Sequence, residues 1–463
     1  MEALGALPCL ATRLAPGARS VRERGCTGLR GYLSSTNQSL ESPPTRFKRG
    51  FYLGAKNSGK SWCAAWEAWE EPILAVGHWC YRGIMVASAR AALAAVVMTL
   101  ASIAACGCGG SSSQGGPPTP PTQPQDGPPA GYPDGHAVIP AAGQAEDVSS
   151  PTTVIGTGAP ESCTGDAFVR AVANGGIITF NCGPDPVTIV LTKTAKVFND
   201  KGTKLVIDGG NKVTLSGGGT TRILYMATCD KAQVYPPGPG DCNTNPGIQL
   251  VVQNLTFIDG SAKGIPEGSN NDGGGGAIHA QGGSLKVVNS RFFNNVCDDL
   301  GSDVGGGAIR KLDYLVAAGA GPGRPVWIVN STFGGKPGFG NSCANGGALS
   351  SIGVSWNILN TLLSENTAVG HGANSGQGGN GGAIYNDGNE IVLNVTSSLI
   401  ENNVANEGGS AVFFVSNNQT GSITITDSIT RNNPRGTFET PDLPGFYVIA
   451  KNPAQVINSQ ILR

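Results

Sequence analysis

From residue 275 onward apolar and polar side chains take turns along the chain. Segments such as SLKVVNSRF (residues 284–292) and SITITDSIT (residues 422–430) show the period of two that belongs to a strand with one face toward a core. The alternation is packaged in repeats. Each opens on a corner of small residues, GGAIHA, GGAIRK, GGALSS, GGAIYN and GSAVFF. Each closes on a second phrase, VVNSRFFNN, IVNSTFGGK, ILNTLLSEN, VTSSLIENN and ITDSITRNN. The corner alanines Ala277, Ala308, Ala348, Ala383 and Ala411 lie 31, 40, 35 and 28 residues apart. Periods of this size mark stacked units, none of which can bury its apolar face alone. Units made only of strands and turns stack as the rungs of a parallel β-helix. In such a stack Ile309, Ile384 and their equivalents point inward, as do Phe292 or Phe293, Phe333, Leu362 or Leu363, Leu399 or Ile400, and Ile429. The doublets Asn294-Asn295, Asn402-Asn403 and Asn432-Asn433 are expected to stack rung on rung through their side-chain amides.

Ahead of the repeats, residues 166–173 (DAFVRAVA) predict a short amphipathic helix with Phe168, Val169 and Val172 inward, ended by Asn174, Gly175 and Gly176. Strand-like segments follow without another helix: IITF, VTIVL, KLVI, VTLSG, ILYM and IQLVVQNLTF. The helix would cover the open N-terminal end of the core, where sheet edges are otherwise exposed.

The pairing of GGAI with S-x-F-x-x-N resembles the repeats of bacterial polymorphic outer-membrane proteins. The region from about residue 162 to 463 is similar to pectin-lyase-like proteins, and residues 207–217 (IDGGNKVTLSG) resemble their common opening phrase. The resemblance implies an all-β fold, a right-handed parallel β-helix solenoid with a short N-terminal capping helix, over residues 146–463. It is specific for fold and poor for function, because lyases, hydrolases and adhesins share that helix.

Composition sets the N-terminal third apart. The 463 residues include 70 glycines and only 14% charged residues. Residues 1–84 carry 11 Lys/Arg against 6 Asp/Glu, and the part from Cys106 onward carries 19 against 26. That acidic balance disfavours nucleic acid, whose binding rests on neutralising phosphates. Residues 85–105 have the layout of an export signal: one charge at Arg90, an apolar run over residues 91–105, and small residues before Cys106. The ending Ile103-Ala104-Ala105-Cys106 resembles a bacterial lipobox, which implies that Cys106 is a lipid-modified membrane anchor. A signal starting at Met85 predicts that residues 1–84 are a non-native or mis-called extension. The same signal disposes of GAKNSGKS (residues 54–61), which fits a phosphate-binding loop: its segment is too short for a nucleotide-binding domain. No ATPase is expected. Residues 106–145, rich in Gly, Ser and Pro, read as an extended tether.

Beyond the anchor, Cys163, Cys182, Cys229, Cys242, Cys297 and Cys343 make six cysteines without zinc-site spacing, so disulfides are expected. Fifteen pairings are open. Neighbours are preferred: Cys163 with Cys182, Cys229 with Cys242, Cys297 with Cys343.

Three constellations could carry chemistry. Asp298, Asp299 and Asp303 cluster in a loop and could hold Ca²⁺. Arg310 and Lys311 follow GGAI, and in a uronate lyase a cation and a base of these types would stabilise the enolate and take the C5 proton. Against this stands the plainer reading of both as surface residues, and of His279 likewise. Gly370-His371-Gly372 resembles the GHG of β-helix polygalacturonases, but the only adjacent Asp pair, Asp298-Asp299, lies far upstream, so a hydrolase is disfavoured. The expected function is that of an exported protein, lipid-anchored at the cell envelope, which binds polysaccharide, matrix or another cell surface. The alternative is a Ca²⁺-dependent uronate lyase acting by β-elimination.

Overall fold

Small residues at the repeat corners are there because nothing larger fits. In the computed structural model, which describes residues 127–234, 247–265, 273–313 and 324–463, Gly306 has φ +77°, and a Cβ there would stand 2.1 Å from the carbonyl oxygen of Ile309. At Gly307 a Cβ would stand 2.3 Å from the Gly347 oxygen of the next repeat. The first glycine therefore lets the chain turn back on itself, and the second lets neighbouring repeats approach. The export signal, Cys106 and the first part of the tether lie outside the described residues, which all belong to one compact unit, Gly110–Arg463.

The unit is predominantly β, with parallel strands in three sheets of 17, 8 and 3 strands among the described residues. Each corner leads into a strand of the eight-stranded sheet. There Ile278 pairs in register with Ile309, Ile309 with Leu349, Leu349 with Ile384, Ile384 with Val412, and Val412 with Phe446. All six are fully buried. This is a strand-on-strand arrangement compatible with a solenoid: each strand finds its parallel neighbour one repeat later. Opposite this sheet, Phe257, Phe292 and Phe333 stack face to face at 4.8 and 4.6 Å, and Leu363 and Ile400 continue their column. Ile429 departs from the expected inward set. Register places Thr430 behind Ile400, fully buried, and leaves Ile429 on the outer face with Leu362 and Leu399.

Asparagine runs the length of the stack. Asn295 donates its side-chain amide to Asn341 at 2.9 Å, Asn341 to Asn366 at 2.8 Å, Asn366 to Asn403 at 2.9 Å, and Asn403 to Asn433 at 3.1 Å. Each acceptor oxygen also takes the backbone N–H of the preceding ladder member, at 3.0–3.1 Å. All five are buried. The doublets thus divide the work: the second Asn stacks, while the first (Asn294, Asn402 and Asn432, each φ +54°) takes the left-handed turn that aims it. Ser331, Thr361, Ser398 and Ser428 form a second ladder, each hydroxyl accepting the backbone N–H of the preceding rung.

The helix Gly165–Asn174 is capped by Thr164, whose hydroxyl accepts the Ala167 N–H, and ends at Gly175 with φ +74°. It buries Phe168, Ala171 and Val172, with Val169 only half-buried, against the terminal strands Thr153–Ile155 and Ala195–Val197. Disulfides join Cys163 to Cys182 and Cys297 to Cys343. Cys229 is disulfide-bonded as well, and Cys242 lies outside the described residues.

The folded part starts earlier than the expected boundary. Residues 127–147, which include the end of the predicted tether, lie along the 17-stranded sheet as a strap: residues 127–132 run from Phe293 to Asn360, and residues 137–146 return from Asn360 to Gln253 against the direction of stacking. Tyr132 donates its N–H to the Asn360 carbonyl at 2.8 Å, and the Asn360 amide brackets Ala137 with two hydrogen bonds of 2.8 and 3.0 Å. Gln253 brackets Glu146 in the same way at 2.8 and 3.0 Å. Glu146 joins Lys204 and the buried Lys286. Burial works to raise the Glu146 pKa, but these two ammonium groups outweigh it and hold the carboxyl below its usual range. The strap also covers an outward apolar stripe of Val288, Val329 and Leu359 with Ala137 and Ile139.

Two substitutions separate the ladder from mere burial. Asn366→Ala orphans buried amides on both sides and is expected to cost about 2–3 kcal/mol in urea unfolding. Thr430 Oγ1 has no hydrogen-bond partner among the described residues, so the isosteric Thr430→Val is expected to stabilise by about 1 kcal/mol. Loss of stability in the second variant would count against the assigned register.

Candidate functional site

The face of the eight-stranded sheet turned away from the core carries a continuous row of charged, polar and aromatic side chains. Register aligns Lys196, Tyr225, His279, Arg310, Ser350, Tyr385, Phe413 and Tyr447 in one row, a residue per rung. An outward row on a sheet is ordinarily wet. Here Tyr225, His279, Arg310, Ser350, Tyr385 and Phe413 are all buried, because loops between repeats cover them. Gly305 lies so close over Ser350 that a Cβ would stand 2.4 Å from its hydroxyl. Asn374 donates to the Tyr385 hydroxyl at 3.2 Å, and Phe438 meets Tyr447 edge-on at 4.7 Å.

Within the row, His279 stacks on Tyr225 at 5.5 Å. The Tyr225 hydroxyl donates to Asp230 at 3.0 Å, and Arg222 lies 5.8 Å from the Tyr225 ring centre while donating to the Gly274 carbonyl at 2.7 Å. Neither His279 ring nitrogen makes a hydrogen bond of ordinary geometry to a described residue. Burial first, then the charges of Arg222, Arg310 and Lys311, push its pKa well below 6.5, opposed only by the Gly274 backbone. Arg310 donates to Ser350 Oγ at 2.7 Å. Tyr385 stacks on Phe413 at 5.0 Å and its hydroxyl donates to Asp387 at 3.2 Å. Burial raises the pKa of Tyr225, Tyr385 and Asp387 alike.

Both expectations of a surface position, for His279 and for the Arg310–Lys311 pair, need correction. All three side chains are fully buried. Adjacent strand residues also face opposite ways, so Arg310 and Lys311 cannot meet on one substrate. Lys311 aligns with Met226, Ala280 and Phe414, which lie in the core. Its ammonium donates to the Leu312 carbonyl at 3.1 Å and lies 3.7 Å from Asp313, which Arg324 also contacts at 3.0 Å. Burial brings the Lys311 pKa down to about 8.

The three acidic loop residues are dispersed among separate partners. Asp298 accepts the Gly264 N–H at 2.8 Å, Asp299 pairs with Lys263 at 3.0 Å, and Asp303 acts on Tyr385 and Asp387 through space. Among the described residues no three His, Cys, Asp or Glu side chains converge at metal-binding spacing. His371 is exposed, 3.4 Å from the Asn406 amide; next to it Gly372 donates its N–H to Glu407.

One surface feature escaped sequence reasoning. A groove of about 230 Å³ runs between strap residues Pro129 and Ala130 and a polar floor of Asn211, Asn254, Thr256, Asn289 and Arg291. Asn289 donates to Asn254 at 3.2 Å, Asn254 to Asp208 at 3.0 Å, and Arg291 to Thr256 at 2.9 Å. Asn254 and Asn289 were visible in VVQNLTF and VVNS. What could not be read was that they line the strap's path. Compared with protein-family models, curated proteins and solved structures, the chain matches none.

The buried groups make stability depend on pH with a definite sign. An unfolded chain protonates His279 near pH 6.5 while the folded one does not, so stability falls as pH drops through that value. The folded chain releases the Lys311 proton near pH 8 against an ordinary 10.5, so stability climbs as pH rises from about 8. Above about pH 10 the buried tyrosines oppose that climb. Urea unfolding from pH 5 to 10 should show His279→Phe flattening the acid side and Lys311→Met flattening the rise between 8 and 10. Unchanged profiles would place these side chains in water.

Proposed function

We propose that this chain is an exported, right-handed parallel β-helix, tethered to the cell envelope through a lipid on Cys106, that binds an extended polysaccharide or matrix polymer. The observation that carries the choice of binding over cleavage is the burial of Arg310 and Lys311 on opposite faces of one strand. A β-elimination needs its cation and its base on the same solvent-accessible side of the polymer. The two groups proposed for those roles are held by Ser350 and by Leu312 and Asp313 instead.

The groove at Asn254, Asn289 and Arg291 supports the binding side of the reading. Farther along the same ladder corner, Asn360 already grips an extended chain, the strap, with a two-bond amide clamp. Asn254 and Asn289 repeat that residue type where the groove opens, and Arg291 adds a cation suited to a uronate or sulfate group. A polymer with a polar group at intervals close to the ~4.8 Å strand spacing would meet one side chain per rung.

The test uses pectate, alginate and chondroitin sulfate with the purified chain. Retention on at least one immobilised polymer, weakened about tenfold by Arg291→Ala, is expected, without an increase in unsaturated-product absorbance with or without calcium. Product formation lost in Arg310→Ala would overturn the binding reading in favour of the lyase.

A further inference from the structure

One bend of the chain recurs from rung to rung and lines up into a track. Strand register places residues 181–186, residues 208–212, Asn254, Asn289, Asn330 and Asn360 at six successive corners of the 17-stranded sheet. The strap straddles this line. Its outgoing limb sets Pro129 and Ala130 beside the Asn254–Asn289 groove, and its returning limb leads to Val148, beside a second groove of about 350 Å³. That second groove is lined by Thr179, Asn181, Asp185, Lys212 and the bare backbone of Gly209 and Gly210. The loop from Asp208 to Val213 borders both grooves, so together they span the first four corners. Beyond the fourth the strap crosses the line, with Gly131 lying against Asn330 and Asn360.

Charge is laid out corner by corner. Asp185 stands at the first and Lys212 at the second, both exposed. The third offers the neutral amide of Asn254. The fourth carries Asn289 and, two residues on, Arg291, steadied by its hydrogen bond to Thr256 at 2.9 Å. Asp208, the other acid on the lining, is buried. Its carboxylate accepts from Gly210, Gln253 and Asn254 at 2.7, 2.7 and 3.0 Å, and so is taken up in holding the corner. The order along the track is acid, cation, amide, cation.

We propose that this four-corner track takes a polysaccharide in which anionic and neutral sugars alternate, an inference that rests on the polymer-binding reading above. Corners follow one another at the ~4.8 Å strand spacing, close to the length of one sugar in an extended chain, so each corner meets one sugar. A carboxylate set against Lys212 puts the next carboxylate of an alternating polymer against Arg291. Its neutral sugars then fall at Asp185 and Asn254, where hydroxyl groups can donate to the carboxylate and to the amide oxygen. A polymer charged on every sugar must instead bring one carboxylate against Asp185, where like charges repel, and another to an amide that offers no countercharge. Asp185 is thus the element that rejects the wrong polymer, and Lys212 and Arg291 hold the right one.

Isothermal titration of the purified full chain with two tetrasaccharides tests this. One is unsulfated chondroitin, charged on alternate sugars, and the other is tetragalacturonate, charged on all four. The chondroitin fragment is expected to bind about tenfold tighter. Asp185→Asn should tighten tetragalacturonate about threefold and leave the chondroitin fragment unchanged, while Lys212→Gln should weaken the chondroitin fragment about fivefold. Both positions are exposed, so neither change should disturb folding. Equal or tighter binding of tetragalacturonate would overturn the alternating pattern and leave polymer binding standing. So would indifference of tetragalacturonate to Asp185→Asn. If the chain retains neither these fragments nor any long polymer, both readings fall together.

Discussion

The buried amide column from Asn295 to Asn433 is the interaction on which the stack depends. A primary amide has two donors and two acceptor lone pairs, and an unpaired one inside a core costs about 1–3 kcal/mol. No repeat contains all the partners its own asparagine uses. Asn366, for example, takes the Asn341 backbone and side-chain donors from the rung before and gives to Asn403 in the rung after. Register is fixed as a consequence, since a slip of one residue would orphan the whole column and turn every Phe257-type residue outward.

Fixed register explains features that otherwise look unrelated. Loop insertions of different lengths between corners are tolerated because the ladders, not the spacing, align Ala308 with Ala348 and Ala348 with Ala383. The described loop residues Gly305 and Asn374 lie over Ser350 and Tyr385 on the outer face of the eight-stranded sheet. The strap does the equivalent for the stripe of Val288, Val329 and Leu359 on the larger sheet. Surface that a bare stack would expose is thus covered on two of its faces by the chain itself. Beside the strap, the Asn289–Arg291 groove stays open.

Much of this was legible in the residues. The GGA corners, the Phe and Asn columns and the amphipathic helix follow from volume, period and turn chemistry, all local properties. What was not legible depended on parity or on distant chain. The phrase ITDSITRNN offers Ile429 and Thr430 side by side, and hydrophobicity favours the isoleucine; only the register with Ile400 puts the threonine inside. Arg310 and Lys311 look like surface residues by type, but strand parity turns Lys311 into the core column, and Arg310 is buried on the outer face in the row with His279 and Ser350. Strand alternation did carry one neglected warning, that neighbours such as these two face opposite sides. The Pro-rich residues 127–147 have a linker's composition, and their docking rests on amides of Asn360 and Gln253 that no local pattern connects to them.

In-frame deletion reads the stacking most directly. Thr367 and Val404 are register partners, so removing residues 367–403 joins Asn366 to Val404 and takes out one whole unit with the ladders still in line. Stacked repeats require this shortened chain to fold, with strand-type circular dichroism and a cooperative, weakened unfolding transition. Removing only residues 367–385, about half a unit, should leave an unfolded or aggregated product. If both deletions unfold the chain equally, or both are equally well tolerated, the repeats are not interchangeable layers of one stack.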